Sequence, residues 1–182
     1  MADELQFELT LYPSPVLRRP AAPVEAFDEE LASIVEAMYV RMRESQGVGL
    51  AAPQVGLKKR ILVISHSGEE ADQRVFINPE ILERSGPSVV FEEGCLSFPG
   101  IFAEVERPDV CRIKAYDLEG NAFEETFEGF PSRILQHEHD HLEGILLVDR
   151  MSAADKVRHK AALDDLVYEY KQKRDAKPAG KR

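Results

Sequence analysis

The sequence predicts one α+β domain whose strands form a largely antiparallel sheet. Three observations carry this prediction. The 182 residues suit a single domain with a substantial core. Short strand-like segments are separated from the helical segments rather than alternating with them. No internal repeat or linker divides the chain, so residues 1–182 are expected to form one domain that ends in a basic, flexible tail from about residue 171.

The first part of the chain reads as an irregular segment, a helix and a shaped loop. Residues 11–27 contain four prolines and are therefore expected to be irregular. Acidic residues from Asp28 favour a helix start, and the helix should reach about Glu44. Its apolar positions recur at helical spacing: Leu31, Ile34, Val35, Met38 and Met42. Glycine and proline in GVGLAAPQVG (47–56) predict a loop rather than a continued helix.

The second part predicts strands followed by helices. ILVIS (61–65) and RVFIN (74–78) are strand-like, and Pro79 should end the latter. The alternating segments 110–116 and 121–128 flank a turn at residues 117–121 and predict a hairpin. A helix is expected from about Ser132. A last helix should begin near Ser152, with Asp155 completing a capping box, and carry an apolar stripe of Leu163, Leu166, Val167 and Tyr170.

Composition narrows the function classes. A net charge of -10 argues against a general nucleic-acid binder. Two cysteines do not make a disulfide framework and favour a reducing compartment. The N-terminus lacks a signal-peptide pattern, and no apolar run approaches the roughly 20 residues that span a bilayer. The prediction is a cytoplasmic protein.

The stretch RILQHEHDHLEG (133–144) contains the pattern H-E-x-x-H. At about 100° per residue, His137 and His141 share one helix face, while His139 points about 200° away. Two histidines in this arrangement can hold one metal ion, and Glu138 can act as a base. Gly144 returns to the His137 face, where it leaves room for something to approach. The alternative is a charged surface helix with chance spacing.

The third metal ligand is not obvious from the helix alone. One peptidase class places a histidine where this chain has Leu147, and the downstream DKVRHKAALDD offers only aspartates. His66 and His159 are weak candidates. FEEGCLSFPG (91–100) offers Cys95, whose thiolate would bind zinc or iron well, although a buried inert thiol is the alternative. Cys111 lies in an alternating strand and is interpreted as such a thiol.

Three motifs in order make the chain resemble the peptide deformylase family: GVGLAAPQ (47–54), EGCLS (93–97) and QHEHDHLEG (136–144). The resemblance runs from about residue 8 to residue 170. It implies metal ligands Cys95, His137 and His141, with water as the fourth ligand. It also implies Glu138 as general base and acid, and an oxyanion hole formed by the Gln54 amide and the Leu96 N–H. The reaction implied is hydrolysis of the formyl group from N-formylmethionyl nascent peptides, with release of formate.

The resemblance also indicates where the substrate would bind. Val48, Phe91, Phe130 and Ile134 match positions that line the methionine pocket in relatives, and the alternative for all four is plain core packing. Arg133 lies one turn before His137 and would border the pocket with its stem. The backbone of Val48 and Gly49 would pair with an extended peptide as an added strand. Several relatives carry a substrate-contacting arginine where this chain has Phe102, which leaves the outer contacts open. His139 is interpreted as a solvated or hydrogen-bonded residue outside the metal site. Asp140 is interpreted as a residue that supports the site or packs the helix.

The resemblance also implies a fold in which antiparallel strands surround a central H-E-x-x-H helix, and it bears on the metal ion and the tail. Other functions remain open. The ion would be one divalent metal, Fe²⁺ in the cell, with Zn²⁺, Ni²⁺ or Co²⁺ as alternatives. The tail KQKRDAKPAGKR (171–182) carries six basic residues and is interpreted either as a solubilising tail or as a ribosome-docking element. The competing functions are a metallopeptidase that cuts internal bonds, a cysteine hydrolase with Cys95 as nucleophile, and a non-catalytic binding module.

Overall fold

The computed structural model describes residues 5–176 and confirms the α+β class. Five strands form one antiparallel sheet in the order β1-β2-β3-β4-β5. The strands are β1 (Gly49–Ala51), β2 (Ile61–Ile64), β3 (Arg74–Cys95), β4 (Phe98–Tyr116) and β5 (Ala122–Glu128). The helices are α1 (Glu29–Glu44), α2 (Gly129–Leu142), α3 (Leu147–Arg150), α4 (Ala153–Arg158) and α5 (Lys160–Ala176). Within the described residues, none of the helices combines the length and apolar character that crossing a membrane requires.

Strand β2 explains why two helices cover this sheet on opposite sides. Its four residues are all buried, and successive side chains point to opposite faces. Ile61 and Val63 join the apolar cluster that contains the inner face of α1. Leu62 and Ile64 join the cluster that contains the apolar side of α2. The continuous apolar run of β2 therefore anchors α1 and α2 on either face, which sets the metal-motif helix against the sheet.

The helix boundaries follow the predicted signals with two differences, one of which is that α2 begins at Gly129, three residues before the predicted start at Ser132. Asp28 caps α1 by accepting a hydrogen bond from the Leu31 N–H at 3.0 Å. Ser152 caps α4 in the same way, through the Asp155 N–H at 3.0 Å. The predicted last helix is, however, two helices that meet at His159. The second of them, α5, continues through residues 171–176, and residues 177–182 lie outside the described residues.

The long strands β3 and β4 are the main correction to the predicted fold. Pro79 does not end a strand, because β3 continues to Cys95. The pairing with β4 shifts register between Ile77 and Glu80 and again between Ser85 and Ser88. Pro79 and Pro87 fall within these two irregular stretches, where a missing N–H costs no regular ladder bond. The prolines that suggested strand ends therefore lie at bulges of a strand that runs through them.

Candidate active site

Helix α2 carries the H-E-x-x-H pattern on a face turned toward the protein interior. The rings of His137 and His141 lie next to each other with centroids 5.2 Å apart, as their spacing on one helix face predicts. His139 is outside this cluster. It is nevertheless buried rather than solvated, and Arg60 Nη2 lies 3.5 Å from its Nε2. Burial lowers the pKa of His139 to about 4, so this ring is neutral near pH 7.

Cys95 reaches the two histidines from the sheet. It is the last residue of β3 and pairs with Phe98, the first residue of β4, across the two-residue connection Leu96–Ser97. Its Sγ lies 3.3 Å from Nε2 of His141. One ligand atom each from Cys95, His137 and His141 falls within 4.8 Å of the other two. The hairpin end and the helix thus bring together residues that are more than 40 positions apart, Cys95 and His137.

The donor set fits a divalent transition-metal ion. One thiolate and two imidazoles form a three-residue set of the kind that leaves a position open in catalytic sites. His137 directs Nδ1 to a carboxylate oxygen of Glu93 at 2.9 Å. That contact leaves Nε2 as the nitrogen available to a metal, because a carboxylate partner fixes the tautomer of a ligating histidine. Among the residues that the structure describes, Glu138 Oε2 is buried and has no hydrogen-bond partner, which suits an atom that contacts a group bound at the metal site.

Glu93 is the site residue that the sequence analysis missed. Its carboxylate is buried and accepts from Nε and Nη2 of Arg107 at 2.7 and 3.0 Å, from Nη1 of Arg133 at 2.7 Å and from His137. Burial acts to raise the pKa of Glu93, but the hydrogen bonds from His137 and Arg107 outweigh it and hold the pKa well below its usual range. The signal in the sequence was an acidic doublet placed directly before Gly94-Cys95.

Asp140 extends this buried network away from the metal cluster. Its Oδ2 accepts from Arg107 Nη1 at 2.8 Å and from Arg150 Nε at 2.9 Å. The chain of contacts from Arg133 through Glu93, Arg107 and Asp140 to Arg150 joins α2 to the hairpin of β3 and β4. Because most of these charges are buried, each depends on its partner for compensation. The network therefore fixes α2 relative to the hairpin that carries Cys95.

Glu138 lies beside β1 with its carboxylate in the same region as the cluster. A Cβ built on Gly49 would approach Glu138 Oε1 to 2.5 Å, so only glycine allows β1 and α2 to meet this closely. Burial is the largest cause of a rise in the pKa of Glu138 to about 7, to which the charges of Glu93 and Asp140 add. A carboxyl group with a pKa near neutrality can both accept and donate a proton under ordinary conditions.

Gln54 lies in a 3₁₀ helix, Ala52–Val55, that follows β1 within the segment predicted to be a loop. Its Oε1 accepts from the Ala51 N–H at 2.8 Å, which fixes the orientation of the amide. Its Nε2 therefore points toward the cluster and lies 3.6 Å from Cys95 Sγ and 3.4 Å from Ser97 Oγ. Leu96 directly follows Cys95 in the sequence, and both residues line the same groove as Gln54.

We call the region of Cys95, His137, His141, Glu138 and Gln54 the metal corner. A groove of about 630 Å³ adjoins it. Cys95, His137 and Glu138 line it, together with Gln54 and Leu96. All the residues predicted for the substrate pocket also line it: Val48, Gly49, Phe91, Phe130, Arg133 and Ile134. Phe91 and Phe130 are not core residues, because they stay half-exposed with ring centroids 6.2 Å apart. Phe102 lines the same groove.

The structure shows which group approaches Gly144, where the missing side chain was expected to leave room. A Cβ at this position would lie 2.6 Å from the backbone oxygen of Arg18, and the residue has a φ of +73°. Gly144 lies two residues after the end of α2 and lets the N-terminal segment pack there.

Comparisons with known proteins agree with this geometry. The model of the family described as "Polypeptide deformylase" matches residues 7–157. A peptide deformylase of Thermotoga neapolitana is 42% identical over 160 residues, covering 88% of this chain and 96% of that protein. Peptide deformylase 1B of Arabidopsis thaliana, chloroplastic/mitochondrial, is 43% identical over 180 residues, covering 94% of this chain, which spans 65% of that protein's length.

Solved structures give the same result. A plant peptide deformylase PDF1B crystal structure has a TM-score of 0.92 at 40% identity, with all of both chains covered. A peptide deformylase from Plasmodium falciparum has a TM-score of 0.89 at 43% identity, covering 91% of this chain and 98% of that one. The family model spans most of the chain, and relatives above 40% identity match it nearly end to end. The chain therefore belongs to the polypeptide deformylase family.

Proposed function

We propose that this chain removes the formyl group from N-terminal formylmethionine of newly made proteins by metal-assisted hydrolysis and releases formate. Family membership makes it a hydrolase that acts on formylated peptide N-termini. The single observation that carries the proposal is the cluster of Cys95, His137 and His141, of which Cys95 and His137 line one groove together with Glu138. An internal-bond peptidase with H-E-x-x-H has no need of the Gln54 and Cys95 motifs.

Cys95, His137 and His141 would hold one divalent ion. When bound, such an ion activates a water molecule near neutral pH and polarises a carbonyl oxygen. We propose Fe²⁺ as the ion in the cell, with Zn²⁺, Ni²⁺ and Co²⁺ able to use the same donors. The thiolate and imidazoles suit all four ions, and affinity alone would favour zinc over ferrous iron. Supply in the cell then decides which ion is present.

Glu138 is proposed as the group that moves the proton. A pKa near 7 lets its carboxylate accept the proton of the attacking water as the new C–O bond forms. The same group then donates that proton to the departing amine nitrogen as the formyl C–N bond breaks. Its Oε2 has no partner within the described residues and would find one in the water. This assignment accounts for a buried carboxyl that contributes no structural hydrogen bond through that atom.

Gln54 and Leu96 are proposed to stabilise the oxyanion that develops on the formyl oxygen. The Gln54 amide is held by the Ala51 N–H, so its Nε2 donors are oriented before substrate arrives. The Leu96 N–H follows Cys95 at the hairpin end, next to the proposed ligand. One donor of this kind is typically worth about 3 kcal/mol in the transition state.

The substrate would lie along β1 with its methionine side chain in the groove. Within the described residues, strand β1 pairs only with β2, so its other edge, beginning at Gly49, is available to an extended peptide. Val48 directly precedes β1, and its carbonyl accepts a hydrogen bond from the Ser65 N–H at 2.8 Å on the β2 side. Phe91, Phe130 and Ile134 with the stem of Arg133 provide apolar walls for methionine. A formyl carbon carries only hydrogen, so a close-fitting corner can exclude an acetyl methyl by steric clash.

We further propose a cytoplasmic location and docking of the basic C-terminal segment on ribosomal RNA. Lys171, Lys173 and Arg174 lie on α5, and the remaining basic residues of the tail lie outside the described residues. A cluster of basic charge on an acidic protein would be attracted to phosphate. Salt-dependent cosedimentation with ribosomes, lost after replacing these lysines and arginine by glutamine, is the expected result. Equal cosedimentation of the two proteins would contradict docking.

The test of the proposed activity is formate release from a formyl-Met peptide by metal-loaded protein, with the acetyl-Met peptide as control. Formate from the first peptide and no acetate from the second is expected. Chelation should abolish the activity, whereas a cysteine hydrolase would survive it. Cleavage of internal bonds without formate would instead favour the peptidase. No turnover of either kind by fully loaded protein would contradict catalysis.

A further inference from the structure

A short N-terminal segment is hydrogen-bonded to both parts of the chain that carry the proposed oxyanion hole. The Thr10 N–H donates to the backbone oxygen of Gln54 at 2.7 Å. Two residues later, the Tyr12 N–H donates to the backbone oxygen of Ser97 at 3.0 Å. Gln54 and Ser97 are 43 positions apart in the sequence. One segment therefore holds two distant parts of the chain together, and we call residues 10–12 the N-terminal brace.

A third contact closes these hydrogen bonds into a ring. Nε2 of Gln54 donates to Oγ of Ser97 at 3.4 Å. Gln54 and Ser97 are at most 1% exposed, so water does not compete for these groups. A closed network of this kind resists displacement, because moving any one member lengthens or breaks a hydrogen bond. The N-terminal brace is thus part of the framework that orients the Gln54 amide.

Tyr12 also anchors the N-terminal brace through its side chain. Its ring is stacked on the ring of Phe98, with centroids 4.9 Å apart and planes 25° from parallel. Phe98 is 1% exposed and directly follows Ser97, so the ring and the N–H of Tyr12 hold two adjacent residues. Aromatic rings at this separation attract each other. The side chain of Tyr12 can therefore be changed to loosen the brace without removing its backbone donor.

The opposite side of the N-terminal brace faces a second groove rather than a packed core. This groove of about 730 Å³ lies between residues 8–14 and α5, and Thr10 and Tyr12 line it. Leu9, directly before the brace, lines both this groove and the catalytic groove. The brace therefore lies between two grooves. Its position depends on the two hydrogen bonds and the stacked ring, because the second groove gives it little support from behind.

We propose that Thr10 and Tyr12 are positioning residues that set the relative placement of the Gln54 amide and the Leu96 N–H. The inference rests on the proposed function, because it concerns the donors that stabilise the same oxyanion. Neither positioning residue lines the catalytic groove, so both act through the residues that they hold. Donors that stabilise a transition state must be fixed in advance, and a displacement of about 1 Å can lower a rate about a hundredfold.

A loosened brace should lower kcat and leave KM nearly unchanged. The Gln54 amide and the Leu96 N–H are proposed to act on charge that develops only in the transition state. Binding of the substrate is proposed to depend instead on the edge of β1 and on the apolar walls of the catalytic groove. This separation of kcat from KM distinguishes a positioning role from a general loss of folded protein.

The test replaces the ring of Tyr12 and measures kcat and KM of metal-loaded protein with a formyl-Met peptide. Tyr12→Ala should lower kcat on the order of tenfold and leave KM within about twofold. Tyr12→Phe keeps the stacked ring and should restore the wild-type kcat. Metal content and melting temperature show whether each variant is loaded and folded. A loaded, folded Tyr12→Ala protein with wild-type kcat would overturn the inference.

Tyr168→Ala is the matched control for this loss of a ring. Tyr168 is 64% exposed on α5 and lines neither groove, so its replacement should leave kcat unchanged. An equal fall in kcat for Tyr168→Ala and Tyr12→Ala would show that the effect is not specific to the N-terminal brace and would overturn the inference.

A double-mutant cycle with Gln54→Ala tests whether Tyr12 acts through the oxyanion hole. Residues that act through one another give non-additive effects. Tyr12→Ala should therefore lower kcat by a much smaller factor in protein that already lacks the Gln54 amide than in wild type. Equal factors in the two backgrounds would show that Tyr12 acts independently of Gln54 and would contradict the positioning role.

A pair of variants at Thr10 decides the question if Tyr12→Ala does not fold. Thr10→Pro removes the N–H that Gln54 accepts, whereas Thr10→Ala keeps it. A lower kcat for the proline variant than for the alanine variant is expected, and equal kcat values would overturn the inference. Formate release by loaded wild type with unchanged kcat in these variants rejects only the positioning role. No formate from fully loaded wild type would instead contradict the proposed function.

Discussion

The metal corner is buried and held by hydrogen bonds, whereas the mouth of the groove, around Phe102, is exposed. At the corner, Glu93 alone has four hydrogen-bond donors, and His137 is oriented by one of its oxygens. At the mouth, Phe102 has half of its surface in solvent and lies near the carboxylates of Glu92 and Glu104, which pair with each other across β3 and β4. A reacting centre requires fixed geometry, whereas a surface that meets varied peptides needs only a general chemical character. Substitutions at Phe102 should therefore disturb the chain less than substitutions in the hydrogen-bonded network around Glu93.

The largest effect should come from replacing Glu138, the residue proposed to transfer the proton. Glu138→Gln keeps the size of the side chain but cannot accept the proton, so kcat should fall on the order of 10³-fold. Metal content, measured by elemental analysis, should stay near one ion per chain, because Glu138 is not among the three clustered ligands. A variant that retains near-normal turnover, or that loses the metal, would show that Glu138 has another role.

The next largest effect should come from breaking the buried network. Glu93→Gln removes the charge that compensates Arg107 and Arg133 and should lower the free energy of unfolding by about 3 kcal/mol. It should also weaken metal affinity on the order of tenfold or more, because His137 loses the partner that orients it. Chemical denaturation and competition with a chelator measure the two effects.

Glu92→Gln is the matched control for that change. Glu92 is the neighbouring residue in sequence but is exposed, so its replacement should alter stability by less than about 0.5 kcal/mol. Equal stability losses for both substitutions would contradict the claim that the Glu93 network fixes the corner.

A smaller effect is expected where α2 meets the N-terminal segment. Gly144→Ala places a Cβ at 2.6 Å from the Arg18 oxygen and forces a side chain into positive φ, so unfolding free energy should fall by about 2 kcal/mol. Gly68→Ala has a similar φ of +81° with no atom within 4 Å of the added Cβ and isolates the backbone contribution. If the two variants lose the same stability, the close approach at Gly144 has no energetic importance.

The smallest effect on stability is expected at the mouth. Phe102→Ala should change the melting temperature little, because an exposed ring contributes about 0.5 kcal/mol or less to folding. A stability loss comparable to that of Glu93→Gln would show that the mouth belongs to the packed corner, and the contrast between the two regions would fail.

The sequence predicted those parts of the molecule that depend on local periodicity. The 3.6-residue helical repeat was enough to place His137 and His141 together and His139 apart, and acidic residues marked the start of α1 correctly. These helical features depend on residues close in the chain, so their consequence can be calculated from spacing. Cys95 was assigned to the site only through the resemblance of EGCLS (93–97) to a family motif.

The rest depends on pairing between distant segments. Whether Pro79 ends a strand is decided by where the register of β3 and β4 shifts, and no local pattern contains that information. The partners of Glu93 are 14 to 44 residues away, so an acidic doublet alone could not reveal a buried ion network. The close approach of the Arg18 backbone to Gly144 likewise could not be predicted, because it depends on the path of a segment more than 120 residues away in the sequence.

Cys95, His137 and His141 are proposed to hold one ion on which hydrolysis depends. The most direct test of this proposal is a titration of metal-free protein with Fe²⁺ under anaerobic conditions, following formate release from a formyl-Met peptide in wild type and Cys95→Ala. Wild-type activity should rise from near zero to a plateau at one ion per chain, and Cys95→Ala should show neither the plateau nor tight binding. Full activity of the metal-free protein, or an unchanged titration after removal of the thiolate, would show that these three residues do not hold a required ion.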